Sequence, residues 1–263
     1  MLRQTVQAMK ISVITVTRNS AATLPDALLS VASQSLKEVE HIVIDGASTD
    51  ATAEAVRLYG AHVSKFLSEL DIGIYDAMNK GLRLATGDII GFLNADDYYA
   101  DSGVLERVVD NMNRLGLDVI YGDVAFFRKN NPHLIVRRYR SDRFSPRRLA
   151  WGWMPAHPAF FMKREMYQRI GFFNTDYRIA GDFEMMTRIF QQPELRFEHI
   201  PEILVMMRAG GVSNAGFRNT MTLNLEVLKA CRENNIDTNI FMLASKYFNK
   251  LLEYVPSANT NLK

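Results

Sequence analysis

Gly87-Asp88-Ile89-Ile90-Gly91-Phe92-Leu93-Asn94-Ala95-Asp96-Asp97 runs from a short apolar segment straight into two adjacent carboxylates. Asp88 to Leu93 reads as a strand apolar on both faces, the pattern of a buried parallel sheet. Working back toward the N-terminus, Ile11 to Val16 and His41 to Ile44 read the same way, and His62 to Leu67 reads as a further strand. Helical segments separate them. Pro25 and Asp26 open one that carries Leu24, Leu28 and Val31 on one face. Thr49 or Asp50 can cap a second, which stops at Gly60, and Tyr75 to Ala85 forms a third. Ser102 is expected to cap a fourth, closed by Gly116. This alternation predicts an α/β fold: a mostly parallel central sheet flanked by helices.

Downstream of Asp118 the texture changes. Asp118 to Phe127 and His133 to Tyr139 read as a hairpin across Lys129-Asn130-Asn131-Pro132, and His157 to Met162 as a further strand. Arg164 to Ile170, Asp182 to Phe190, Phe217 to Asn235 and Asp237 to Val255 read as helices. The 263 residues are 48% hydrophobic and 23% charged, which excludes disordered and low-complexity classes. The net charge of +2 gives no argument for nucleic acid. Cys231 is the single cysteine, so no intrachain disulfide forms. Met1 to Lys10 lacks the apolar run of a signal peptide, and no apolar stretch approaches the ~20 residues that span a bilayer.

In open α/β sheets ligands sit beyond the carboxyl ends of the strands. Three strand ends here are polar: Thr15-Val16-Thr17-Arg18-Asn19, Asp45-Gly46-Ala47-Ser48-Thr49-Asp50 and Asn94-Ala95-Asp96-Asp97. A turn followed by a helix cap is the plain alternative for the second. Neither the dinucleotide fingerprint nor the P-loop occurs, so a phosphate-bearing ligand needs another source of positive charge. Asp96 and Asp97 point to one. Paired carboxylates are unfavourable unless solvated or neutralised, and a hard divalent cation can neutralise them while bridging a diphosphate. The alternative is an exposed acidic turn.

The segments Ile11-Ser12-Val13-Ile14-Thr15, Gln34, Val43 to Asp50, Gly73-Ile74-Tyr75-Asp76-Ala77-Met78-Asn79-Lys80-Gly81 and Gly87 to Asp97 follow one another in order. Together they resemble the family 2 glycosyltransferases of the GT-A fold, over about Lys10 to Ser213, and most of all the bacterial capsule, exopolysaccharide and O-antigen type. The resemblance implies a GT-A domain over 1–235, with a nucleotide-sugar-binding half (10–116) and an acceptor and catalytic half (117–215). A C-terminal amphipathic helix and tail fill 236–263. It implies that Thr15, Val16, Thr17, Arg18, Asp45 and Ser48 line the nucleotide. Relatives often carry two acids where this chain has Asp45-Gly46, so base contact through the second acid is lost. Asp96 is expected near ribose and metal and Asp97 as the ligand of Mg²⁺ or Mn²⁺, with Asn94 in place of a further acid. Ala180-Gly181-Asp182-Phe183-Glu184 resembles the segment of the catalytic base, placed on Asp182 with Glu184 as runner-up. Inverting transfer needs such a carboxylate to deprotonate the acceptor hydroxyl. The alternative for both acids is charge stabilised at a helix N-terminus. Gly181 is expected to leave room for substrate.

His157, between Pro155 and Pro158, is expected near the donor–acceptor pocket, a structural histidine being the alternative. Trp151 and Trp153 suit stacking on a sugar ring or packing in the core. Arg208, in Arg208-Ala209-Gly210-Gly211-Val212-Ser213, is expected to close over the diphosphate, an ordinary glycine turn being the alternative. The activity implied is transfer of a sugar from a UDP- or GDP-linked donor to a glycan or lipid-linked acceptor. A sugar nucleotidyltransferase and a non-catalytic nucleotide- or glycan-binding relative are the alternatives. Arg137, Arg138, Arg140, Arg143, Arg147 and Arg148, with the apolar face around Phe248, can provide a peripheral membrane contact. The expected location is cytoplasmic, at the inner face of the membrane; no nucleic-acid partner is expected.

Overall fold

The computed structural model describes residues 9–128, 131–209 and 217–245. The strands are β1 (Ile11–Thr17), β2 (Val39–Asp45), β3 (Val63–Ser68), β4 (Ile89–Phe92), β5 (Tyr98–Tyr99), β6 (Val119–Arg128), β7 (Asn131–Tyr139), β8 (Phe160–Lys163) and β9 (Phe197–Arg208). The helices are α1 (Leu24–Ala32), α2 (Thr52–Tyr59), α3 (Ile74–Leu84), α4 (Val104–Leu115), α5 (Arg164–Ile170), α6 (Gly181–Ile189) and α7 (Phe217–Glu233). All the strands join one sheet in the order β3-β2-β1-β4-β8-β6-β9-β5, with β7 paired to β6. The first four strands are parallel, as the strand–helix alternation predicts. β8 runs antiparallel to both β4 and β6, so the second half of the sheet is mixed.

Successive side chains of a strand face opposite sides, so each central strand feeds two cores. Ile14, Ile42, Ile90 and Met162 pack with Met78 and Leu82 of α3, Phe183 and Met186 of α6, and Val227 and Ala230 of α7. Val13, Ile89, Phe161 and Ile120 pack on Ala27 and Val31 of α1 and Val108 and Met112 of α4. The sheet is thus covered on both faces.

Several local expectations change. β9, a long strand, has no clean alternation because Glu198, Pro201 and Glu202 interrupt its apolar residues. His157–Ala159 forms a 3-10 turn before β8, consistent with Pro158 in the segment. α2 begins at Thr52; Asp50 Oδ1 accepts the Thr52 N–H (3.0 Å), so Asp50 rather than Thr49 serves its first turn. α4 begins after Gly103, not on a Ser102 cap. Gln34 Oε1 accepts the Leu105 N–H (3.0 Å), and Asp101 accepts that of Gly103 (2.8 Å). Of the predicted C-terminal helix, residues 240–245 are helical, and Leu243 is buried against the domain. Thr238 donates to the Ala150 carbonyl (2.5 Å). Tyr247 through Tyr254, including Phe248, lie outside the described residues, as do the Lys129-Asn130 turn and Gly210 to Ser213.

At the amino-terminal edge of the sheet Glu40 holds three elements together. It is 4% exposed and accepts from Ser12 Oγ (2.6 Å), Thr86 N–H (2.8 Å), Thr86 Oγ1 (2.9 Å) and Lys65 Nζ (3.1 Å). Burial alone pushes its carboxyl up, but these donors outweigh burial and hold it at about 2. A carboxyl depressed in the fold adds stability above its unfolded value of 4.5 and loses it as pH falls toward 2. The shift corresponds to about 3 kcal/mol. Denaturant unfolding of Glu40→Gln should therefore show a loss of that order at neutral pH and a flatter decline between pH 5 and pH 2. A decline parallel to wild type would contradict this role.

Candidate active site

The carboxyl ends of β1, β2 and β4 lie side by side, and β9 reaches the same edge through Arg208. Asp97, just past β4, is 1% exposed. Its Oδ2 accepts from Asn94 Nδ2 (3.2 Å) and its Oδ1 from the Arg208 N–H (3.2 Å). Burial, then the neighbouring Asp96 charge, pushes the Asp97 carboxyl up to about 7. Asp96 is half-buried beside it. The Arg208 guanidinium donates to Asp26 Oδ2 (2.8 Å) and lies 5.0 Å over the Phe127 ring, while its buried Nε has no partner among the described residues.

This edge fits a hard cation together with an anion. Asp97 is a buried carboxylate whose raised carboxyl the Arg208 charge offsets only in part, and Arg208 Nε is a donor without an acceptor among the described residues. No group of three or more His, Cys, Asp or Glu side chains gathers among the described residues. Asp96 and Asp97 therefore make a partial oxygen set that a ligand must complete.

The strand-end residues divide. The Thr15 hydroxyl is fully buried and hydrogen-bonded with His41 Nε2 (2.9 Å), and Val16 packs in the core. Neither side chain lines the edge, so the expectation for them is corrected: β alternation turns these side chains into the fold. Thr17 Oγ1 is buried without a partner among the described residues, and Arg18 is exposed at the strand end. Asp45, 1% exposed, accepts from Ser48 N–H (3.0 Å), Ser48 Oγ and Ser68 Oγ (2.6 Å). Ser48 Oγ also accepts the Asn19 N–H (2.7 Å), so Asp45 and Ser48 shape the loop.

The second half brings Asp182 to the start of α6. The half-buried Asp182 accepts the Phe183 N–H (2.8 Å) and faces Tyr75 Oη (3.3 Å). Burial pushes its carboxyl up, opposed by the His157 charge and these hydrogen bonds. Burial likewise holds His157 below its ordinary value, with Asp182 opposing, so the two form one electrostatic unit. His157 stacks on Phe92 (5.3 Å) and meets Phe173 edge-on (5.8 Å). Gly181 leaves no room for substrate: the Tyr75 ring stands 2.7 to 2.8 Å from where a Cβ would be. Both carboxylate oxygens of Glu184 are engaged by Arg188 (2.7 and 2.8 Å), whose guanidinium also donates to the carbonyls of Ile170 (2.7 Å) and Phe172 (2.9 Å).

Three positioning residues are not singled out from the sequence, although Tyr75 and Asn79 lie in the Gly73 to Gly81 segment. Glu226 of α7 accepts the N–H groups of Arg178 (2.9 Å), Ile179 (2.8 Å) and Ala180 (2.7 Å), clamping the chain before Asp182. Asn79 of α3 exchanges two hydrogen bonds, each 2.9 Å, with the Phe173 backbone. Tyr75 donates to the Ile179 carbonyl (2.6 Å). A cleft of about 130 Å³ opens between Ile72 to Asp76 and Thr175 to Arg178. A second, of about 330 Å³, is lined by Arg148, Trp151, Trp153 and Ser245.

Residues 12–179 match the family model for Glycosyl transferase family 2. A PGL/p-HBAD biosynthesis glycosyltransferase of Mycobacterium tuberculosis is 34% identical over 210 residues, covering 77% of this chain and 78% of that protein. Staphylococcus aureus TarS 1–349 in complex with UDP-GlcNAc superposes with a TM-score of 0.68 at 18% identity, over 94% of this chain and 73% of that one. The mannosyltransferase PcManGT of Pyrobaculum calidifontis, in complex with GDP-Man and Mn²⁺, gives 0.60 at 19% identity, over 93% and 80%. The fold is an α/β sheet of GT-A-like architecture. The chain belongs to glycosyltransferase family 2 and is a glycosyltransferase.

A carboxyl raised in the fold costs stability as pH rises through its folded value. At pH 8 and without metal, Asp97→Asn should melt at or above the wild-type temperature. It should also lose the thermal shift that Mn²⁺ with UDP or GDP gives the wild type. A variant that melts lower but keeps the ligand shift would contradict the role of Asp97.

Proposed function

We propose that this enzyme moves a sugar from a UDP- or GDP-linked donor to a glycan or lipid-linked acceptor in cell-surface polysaccharide biosynthesis, with inversion at the anomeric carbon. The observation that carries the reading is the buried Asp97 carboxylate, which accepts the Arg208 N–H, together with an Arg208 Nε that has no partner among the described residues. One group calls for a cation and the other for an anion, and a metal-bound diphosphate supplies both. Asp97, with Asp96, would hold Mg²⁺ or Mn²⁺, which when bound neutralises charge on the diphosphate. Arg208 holds the diphosphate, and Thr17 and Arg18 border the nucleoside. The UDP-GlcNAc complex of TarS and the GDP-Man and Mn²⁺ complex of PcManGT support a donor of this class. The mycobacterial relative, a glycosyltransferase named for PGL/p-HBAD biosynthesis, supports a biosynthetic role.

Asp182 accepts the proton of the attacking acceptor hydroxyl. Its raised carboxyl makes it a stronger base than a solvated aspartate, and Glu226, Tyr75 and His157 fix its place. Glu184 remains tied to Arg188 and plays a structural part. Trp151, 44% exposed, and Trp153, with Arg148 5.9 Å over its ring, offer the acceptor an aromatic platform. No described helix is long and apolar enough to cross a membrane. The peripheral contact rests on exposed Arg143 and Arg147, because Arg138 pairs with Asp123 and Arg140 with Asp142.

Asp182→Asn keeps the shape but cannot take the proton. Turnover should fall by ~10²–10⁴-fold with donor affinity nearly unchanged. The base acts only when deprotonated, so the wild-type rate should fall with acid along a limb above the ordinary aspartate range. Residual activity of the variant should lack that limb. Full activity in Asp182→Asn with loss in Glu184→Gln would move the role. Release of pyrophosphate rather than a nucleoside diphosphate would point to a nucleotidyltransferase.

A further inference from the structure

Gly46 follows Asp45 at the carboxyl end of β2, and its N–H donates to the Thr17 carbonyl (2.9 Å). A Cβ at Gly46 would overlap Asp71 Oδ2 and stand 3.2 Å from Asp71 Cγ and 3.4 Å from Arg18 Cδ. The missing side chain thus admits a carboxylate from the loop between β3 and α3. That loop is held from several directions. Asp71 Oδ1 accepts the Gly73 N–H (3.1 Å), Lys80 Nζ donates to the Leu70 carbonyl (2.6 Å), and the Ile72 N–H donates to Asp76 Oδ2 (3.3 Å). Gly73 sits at φ +144°, which favours glycine. One Asp71 oxygen is used to shape the loop. The other, half-buried against Gly46, meets no donor among the described residues.

We propose that Asp71 reads the base of the donor nucleotide by accepting the ring N–H of uracil or guanine. The proposal rests on the nucleotide-sugar reading above. The diphosphate end of the groove is at β4, and the sheet order β2-β1-β4 puts Gly46 two strand spacings away, about 10 Å. That is the end left for the base once the ribose lies between. Asp45, the other acid there, is already occupied by Ser48 and Ser68, so Asp71 Oδ2 is the open acceptor. A carboxylate only accepts. Uracil N3–H and guanine N1–H satisfy it, whereas cytosine N3 and adenine N1 present lone pairs at the same ring position. Its loop is fixed before ligand arrives, so little ordering opposes the contact.

Calorimetric titration with UDP, GDP, CDP and ADP in Mn²⁺ tests the assignment on wild type, Asp71→Ala and Gly46→Ala. Wild type should bind UDP or GDP ~10- to 100-fold more tightly than CDP and ADP, the scale of a hydrogen bond to a charged group. Asp71→Ala should reduce that preference to a few-fold by weakening the preferred nucleotide. Gly46→Ala should do the same with the carboxylate still present, because its methyl displaces Asp71. An unchanged preference in Asp71→Ala, or an equal loss for all four nucleotides, overturns the assignment while the donor reading stands. Failure of wild type to bind any of the four overturns the donor reading and this one with it.

Discussion

The contact between Asp97 and Arg208 is the one on which the site depends. Asp97 ends the β4 segment of the parallel half-sheet, and Arg208 ends β9 of the mixed half. A backbone N–H of one meets the carboxylate of the other at 3.2 Å. The Arg208 side chain turns away to Asp26 and the Phe127 ring, leaving its Nε free of partners among the described residues. Burying a carboxylate with so little compensation is unfavourable. The raised Asp97 carboxyl is the sign of it. Such an arrangement persists where a ligand supplies the missing charge, and the rest of the fold supports the strain with two well-filled cores.

α3 links that edge of the sheet to Asp182, the proposed base. Its first turn carries Tyr75, which fills the space over Gly181 and reaches Asp182. One turn on, Asn79 fastens Phe173, and Lys80 fastens the loop that presents Asp71. In the proposed reading a single helix sets both ends of the reaction: which nucleobase fits near β2 and where the proton acceptor stands. α7 secures the far side through Glu226. Asn79, Lys80 and Glu226 each hold a backbone carbonyl or N–H, and Tyr75 also meets the Asp182 side chain.

Much of this was legible in the residues. The apolar runs ending in Asp45 and in Asp96-Asp97 mark strand ends, and the sheet places both at one edge. The first half reads well because β1, β2 and β4 carry nearly continuous buried runs and the helices between them carry clear stops. β9 does not, because a strand flanked by partners of mixed direction tolerates Glu198, Pro201 and Glu202. Thr15 misleads because a polar residue near a strand end can equally face inward, here toward His41. Glu226 and Asn79 act on backbone groups far along the chain, and no local spacing announces such a partner. Asp71 is legible only in space, since its meaning comes from the side chain that Gly46 lacks.

The most direct test of the account is where metal and diphosphate settle. A crystal soaked with Mn²⁺ and UDP or GDP, measured at the manganese absorption edge, should show one anomalous peak at the Asp97 and Asp96 carboxylates. The diphosphate should lie between that peak and Arg208. A nucleotide bound with no manganese at Asp97, or one held at a different edge of the sheet, would contradict the claim that this carboxylate–arginine contact is the donor site.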